Sequence, residues 1–228
     1  MDKKKVLSWT LYDWANSAFA TTVMAGFFPI FFEKYWSNPE LVDQSTFYLG
    51  VSNSAGSLIV AMMAPFLGAV SDTGSTKKKF LFTFAFLGIL ATSLLWFVEQ
   101  GDWQLAAILY AVGAIGFASS NVFYDSLLPS VAKKHEFDFV SSLGYSMGYL
   151  GGGVLFIINI LMYQNPQWFG IPDATTAIRL SFVSVAVWWG IFSIPIFLFI
   201  PEPKNKDNVS LLSAISLGWT QLKSTFKE

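Results

Sequence analysis

The stretch YDWANSAFATTVMAGFFPIFF, Tyr12 to Phe32, decides the fold. From Phe19 onward it is almost wholly apolar, yet its head carries Asp13, Asn16 and Ser17. A helix that crosses the hydrocarbon of a bilayer needs about 20 such residues. With its flanks, the segment predicts a membrane span over Ser8 to Phe32. It also poses a question, because a carboxylate stands near the start of a segment headed into lipid.

Working outward, five more segments have the same character: Phe47–Val70, Phe80–Val98, Trp103–Leu128, Phe139–Tyr163 and Ala177–Ile200. Lipid offers no partner for backbone amides, so helices are the natural spanning form. A membrane barrel would show short alternating segments instead. The prediction is an all-α polytopic membrane protein with six transmembrane helices. Composition agrees: 54% of residues are hydrophobic and 13% charged, against about 25% charged in soluble domains. The chain has no cysteine, which excludes disulfides and thiolate chemistry. A single histidine, His135, excludes a multi-histidine metal site. A net charge of −1 offers no broad basic surface to nucleic acid. With no cofactor motif and no nucleophile–base pair near the spans, the chain does not read as an enzyme.

Six crossings return the chain to its starting side. Of 14 Lys and Arg residues, all but Lys34 and Arg179 fall on one set of connections and the tail. That bias predicts both ends of the chain in the cytoplasm. The apolar run after Lys3, Lys4 and Lys5 is too long for a cleaved signal and lacks a small-residue cleavage site, so it reads as a retained helix. Tyr35, Trp36, Trp103 and Trp168 are expected as headgroup anchors at the outer ends, and Trp9, Tyr12 and Trp14 at the first inner end.

Several polar residues interrupt the apolar runs. Asp13 and Asn16 are three apart and share a helix face. Counted from Ser8, Asp13 is expected roughly 7–8 Å deep. Two readings stand for it. It bonds to headgroups, water or a neighbouring helix, or it is a gate, substrate or proton-coupling contact on a central path. Asn53, with Ser54, Gly56 and Ser57, either packs across helices or lines a water-filled cavity. Asp72, Asp125 and Asp138 gather with Asp13 toward the cytoplasmic side, which fits a gate better than a midplane site. Asp138 also suits the positive start of a helix. Gly144, Gly148 and Gly152 recur every four residues and predict a smooth ridge for close helix approach. Pro29, Pro65 and Pro195 each remove a backbone donor and can bend a span. The most specific connection is GAVSDTGSTKKKF, Gly68 to Phe80. Gly68 permits tight packing at a helix end, Asp72 can brace a neighbouring helix end, and Lys77, Lys78 and Lys79 hold the loop on the basic side.

Together these residues resemble the N-terminal half of a major facilitator superfamily transporter. More narrowly, the chain is similar to the vacuole effluxer (Atg22-like) family of amino-acid effluxers and bacterial relatives. YDWANSAF followed by FFPIFF at Phe27 to Phe32 resembles that family's first helix. The Gly68–Asp72 spacing with following lysines resembles the superfamily's loop signature, although Ser75 stands where a second Gly is usual and Thr73 where a basic residue is frequent. FYDSLLPSV, Phe123 to Val131, is similar to the fourth-helix ending, with Asp125 where Asn is more common. SSLGYSMGYLGGG, Ser141 to Gly153, resembles the fifth helix. The resemblance covers about the first 200 residues. It implies that Asp13 and Asn16 face a central path near its cytoplasmic mouth. It also implies secondary transport of a small solute by alternating access, with amino acids or similar compounds as the substrate class. It assigns no substrate residue.

Residues 1–200 are therefore expected to form one six-helix bundle in a bacterial inner membrane. Residues 201–228, from PEPKNKDN into an amphipathic Val209–Phe226, are expected to begin a cytoplasmic linker. Transporters of this kind bind substrate between two such bundles. The chain is expected to be a fragment of a longer protein, or else to pair with a second subunit. Expected partners are a small-molecule substrate, the lipid bilayer, a coupling proton or ion, and the second half. No cofactor or metal is expected. The alternative reading is a non-transporting membrane scaffold or partner subunit.

Overall fold

The computed structural model describes residues 2–37, 42–73 and 76–202. Ser75 and the expected linker from residue 203 onward lie outside the described residues, as does the side chain of Asp72. Among the described residues the secondary structure is helical throughout. The main rods are α1 (Lys3–Trp36), α2 (Val42–Thr73), α3 (Lys77–Leu94), α4 (Trp103–Ser126), α5 (Phe137–Gln164) and α6 (Ala174–Phe199). Five of them, α1 and α3 to α6, are long and apolar enough to cross a membrane. The remaining rod, α2, is apolar over Phe47–Met63.

The first helix begins ahead of its apolar run. Asp2 is its N-cap, and its carboxylate accepts from the backbone N–H groups of Lys4 at 3.1 Å and Lys5 at 3.4 Å. This satisfies orphan donors of the first turn and lets the helix begin at Lys3, one turn and more before the span expected from Ser8. Asp13 consequently lies ten residues, or about 15 Å, along the rod. The same helix widens to a π-helical path over Phe19–Phe27 and again over Phe32–Trp36. Pro29 sits between the two stretches, where it cannot donate to the regular ladder.

The packing follows a simple rule. Helix α1 lies against α5 and α6, α4 lies against α2 and α3, and α3 lies against α6. Helix α5 also lies against α6; replacing each helix by the one three places along the chain maps the other contacts onto one another. A shift of three reverses the direction of a membrane-crossing rod, so the bundle is two inverted three-helix repeats. That is the internal symmetry of a major facilitator half. Helices α1 and α4 cross at the centre, where Phe19 meets Phe117 with ring centroids 5.4 Å apart.

Small residues set the closest approaches. A Cβ at Gly116 of α4 would stand 2.6 Å from the backbone nitrogen of Gly88 in α3. On α5, a Cβ at Gly144 would meet the Trp9 ring at 2.6 Å, one at Gly148 the Ser17 hydroxyl at 2.6 Å, and one at Gly152 the Ser17 carbonyl at 2.9 Å. Each of those partners is on α1. The outer faces are apolar: Phe82 and Phe86 of α3, and Val187, Ile191 and Leu198 of α6, are exposed.

Cations close the ends of the rods. Lys78, in the first turn of α3, donates through Nζ to the carbonyls of Phe197 at 2.6 Å and Ile200 at 2.9 Å, at the end of α6. Its backbone N–H meets Glu202 Oε1 at 3.1 Å. Arg179, in the second turn of α6, donates from Nε to the carbonyl of Trp96, just past α3, at 2.9 Å, and from Nη2 to the same oxygen. Lys77 Nζ reaches the Ser126 carbonyl at the end of α4 at 2.9 Å. Unsatisfied carbonyls and the negative end of the helix dipole make each such terminus a cation site.

The expected aromatic anchors divide. Trp168 is 75% exposed and fits an interface. Trp36, Trp9 and Tyr12 do not: they are 0%, 2% and 0% exposed. Trp36 packs on Phe28, Phe31 and Phe182 inside the bundle, and its indole donates to the Val98 carbonyl at 3.4 Å. Large rings at a helix end serve a crossing point as well as a headgroup layer, and sequence position alone does not distinguish them.

Candidate functional site

Two cavities lie along the α1–α4 crossing and share Phe117 as a wall. The first, about 240 Å³, is formed by α1, α4 and α5. Asp13, Asn16, Ser17 and Thr21 line it from α1, Asn121 from α4, and Tyr145, Gly148 and Tyr149 from α5. The second, about 310 Å³, is formed by α4, α1 and α2. It takes Asn53, Gly56 and Ser57 from α2, Met24 from α1, and small residues such as Ala114 and Ala118 from α4. The exchange that relates the two repeats therefore also exchanges the two cavities. Their chemistry differs, since only the first holds a carboxylate.

The head of α1 supplies the polar wall through its helical spacing. Asp13, Asn16, Ser17 and Ala20 follow an i, i+3, i+4, i+7 pattern, so they form one stripe. Asn16 is buried and donates through Nδ2 to Asn121 Oδ1 at 2.5 Å, joining α1 to α4. Asp13 is half-buried and its Oδ1 accepts from the Ser17 hydroxyl at a long 3.4 Å. Its position is fixed from behind. Trp9 stacks on Tyr124 at 4.3 Å and donates its indole N–H to the Tyr124 carbonyl at 3.2 Å. From α5, the absent side chains of Gly144 and Gly148 leave the room that the Asp13 carboxylate occupies: a Cβ there would stand 3.3 Å and 3.2 Å from its atoms.

The residues singled out in the sequence thus fall in five places. Asp13 and Asn16 meet in the first cavity, while Asn53 lines the second. Asp125 is exposed near the end of α4 and lines neither, although its charge reaches Asp13. Lys77 and Lys78 sit at helix ends, and Gly68 is half-buried near the end of α2. Gly144, Gly148 and Gly152 face α1. Among the described residues no group of His, Cys, Asp and Glu is arranged to hold a metal ion.

Sequence reasoning passed over Tyr145 and Tyr149. They are four apart on α5, 66% and 70% exposed, with ring centroids 5.7 Å apart. Their signal was the repeat of large rings beside the glycine ridge, which places them at the rim of the α1 contact. It also passed over Asn159, buried in α5, whose Oδ1 accepts from Ser184 of α6 at 3.0 Å.

Comparison with known proteins agrees with this architecture. The chain matches the family described as Vacuole effluxer Atg22 like over residues 39–139 and 135–228. It is 36% identical over 222 residues to an uncharacterized MFS-type transporter, YxiO, of Bacillus subtilis, covering 95% of this chain and 52% of the relative. An uncharacterized protein of Aquifex aeolicus is 27% identical over 207 residues, 91% of this chain and 48% of its own length. Autophagy-related protein 22 of Vanderwaltozyma polyspora is 21% identical over 287 residues, 99% and 54% respectively. The chain spans about half the length of the curated relatives it matches. No solved structure matches it. These are families of transporters rather than enzymes, and their relation to the chain agrees with its apolar helices in making it an integral membrane protein. Six rods in two inverted repeats, a polar-headed first helix and a match across most of the sequence lead to one assignment: the chain belongs to the vacuole effluxer Atg22-like family, as the N-terminal half of a major facilitator fold.

Proposed function

We propose that this six-helix bundle is one half of a secondary transporter that moves a small solute, with amino acids as the substrate class, by alternating access. The observation that carries the reading is the pair of cavities exchanged by the inverted repeat, both on the α1–α4 crossing. A face built this way presents a continuous wall to a second bundle and leaves the solute path between them. Asp13 and Asn16 would line that path, Asn53 would contribute on the other side of Phe117, and Asp125 would act on Asp13 through its charge from the cytoplasmic side. A proton or other ion gradient would drive the cycle. The charge bias of the connections supports both ends of the chain in the cytoplasm of a bacterial cell, with the bundle in its inner membrane.

The natural protein, reconstituted in vesicles preloaded with unlabelled amino acids, should accumulate labelled ones by counterflow. Asp13→Asn should reduce that exchange more than it reduces the yield of folded protein. Accumulation no greater than in empty vesicles, across the full set of amino acids and at several pH values, would refute amino-acid transport.

A further inference from the structure

The first cavity is unbalanced in charge: its lining holds the Asp13 carboxylate and no cationic side chain. Its Ser17 hydroxyl donates to Asp13, its Thr21 hydroxyl donates to the Ser17 carbonyl at 3.0 Å, and the Asn16 amide donates to Asn121. Those donors are spent inside the wall. The Asp13 carboxylate, by contrast, receives one long hydroxyl bond and has no ion-pair partner among the described residues. No Lys, Arg or His lines the cavity. Asp125 adds a second negative charge within reach of the first. A carboxylate in a membrane bundle that lacks a cation of its own has a strong demand for a donor-rich, positively charged partner.

The α5 side of the cavity defines what kind of cation. Tyr145 and Tyr149 present exposed rings 5.7 Å apart at the mouth of the same cavity. Aromatic faces attract organic ammonium groups by their quadrupole within about 6 Å. Phe117 gives a further apolar wall for the body of such a molecule.

We infer that this cavity binds the protonated amine of an organic solute, with Asp13 as counter-charge and Tyr145 and Tyr149 as flanking aromatic faces. The inference rests on the transport reading only in placing the cavity on the solute path. It assigns recognition of the ammonium end to this bundle and of any carboxylate end to residues elsewhere, because the cavity holds no cation to receive one.

The test is calorimetric titration of the natural protein in lipid nanodiscs at neutral pH, with phenethylamine, with its uncharged isostere 2-phenylethanol, and with sodium chloride at constant ionic strength. The amine should bind at least about tenfold more tightly than the alcohol, as expected for one charge-assisted contact. Asp13→Asn should bring that ratio close to one. Tyr149→Ala, a change at an exposed ring, should weaken amine binding about threefold to tenfold and leave the alcohol nearly unaffected. Equal binding of amine and alcohol by the unaltered protein overturns the inference without reference to any variant. So does sodium displacing the amine, which would make this an inorganic-cation site, or retention of the full ratio in folded Asp13→Asn. Because binding is read without flux, amine preference with no solute movement would count against transport alone, and flux with no amine preference would count against this assignment alone.

Discussion

Replacing Gly116 with alanine should separate α3 from α4. The new Cβ would stand 2.6 Å from Gly88 N, 2.7 Å from Phe84 O and 2.8 Å from Gly88 Cα. Carbon contacts settle near 3.5–4.0 Å, so the intrusion is roughly 1 Å. All three obstacles are backbone atoms, so rotamer changes cannot relieve it. Helix α3 must move, yet Lys78 ties its start to α6 and Arg179 ties its end to α6 as well. Overpacking of this kind costs about 1–3 kcal/mol, and the stiffness of α3 favours the upper part of that range. Alanine returns about 1 kcal/mol through helix propensity, for a net loss of about 1–2 kcal/mol. Gly190→Ala isolates the steric part, because its Cβ would meet no described atom within 4 Å beyond its own stretch of helix backbone. It should be neutral or stabilising by up to about 1 kcal/mol. The assay is equilibrium unfolding in mixed micelles followed by tryptophan fluorescence. Gly116→Ala as stable as Gly190→Ala would refute the reasoning.

Lys78→Met should cost about 2 kcal/mol in the same unfolding assay, since two charge-assisted bonds to the end of α6 are lost. Arg179→Lys should cost less, because charge remains and only the forked contact with the Trp96 carbonyl is lost. Cysteines placed at exposed His135 and Gln167 should react with impermeant maleimide from opposite sides of sealed vesicles, and same-side labelling would overturn the orientation. Asp173 caps α6, and its bond from the Thr176 N–H holds its carboxyl below the usual 3.8. A lowered folded value means the cap stabilises above the unfolded pKa and is lost as pH falls through the folded one. Asp173→Ala should therefore lower the melting temperature at pH 6, and the difference from the unaltered protein should shrink as the pH is taken down below 3.8.

The rods were legible because lipid imposes a length and a polarity that hydropathy records directly. Their faces were less so. Trp9, Tyr12 and Trp36 stand where interface rings belong, and only the crossing of neighbouring helices turns them inward. Asp13 and Asn16 could be paired from their spacing alone, but Asn121 reaches Asn16 from a helix more than a hundred residues away. The inverted repeat left no visible echo in the sequence, since α1 opens with polar residues and α4 ends with them. Spatial equivalence there comes from direction reversal, which a linear comparison does not detect. The π-helical path of α1 was also invisible, because Pro29 announces a missing donor without saying how the backbone accommodates it.

The two clamps between α3 and α6 have a mechanical consequence. Lys78 fastens the head of α3 to the foot of α6, and Arg179 fastens the foot of α3 near the head of α6. Antiparallel rods riveted at opposite ends cannot slide past one another, and they resist splaying at either face. They form an axle through the bundle. Helix α4 bears on α3 and helix α1 bears on α6, so the walls that carry the two cavities are mounted on that axle rather than on each other alone. Any rocking that preserves both rivets must tilt those walls together, as one body.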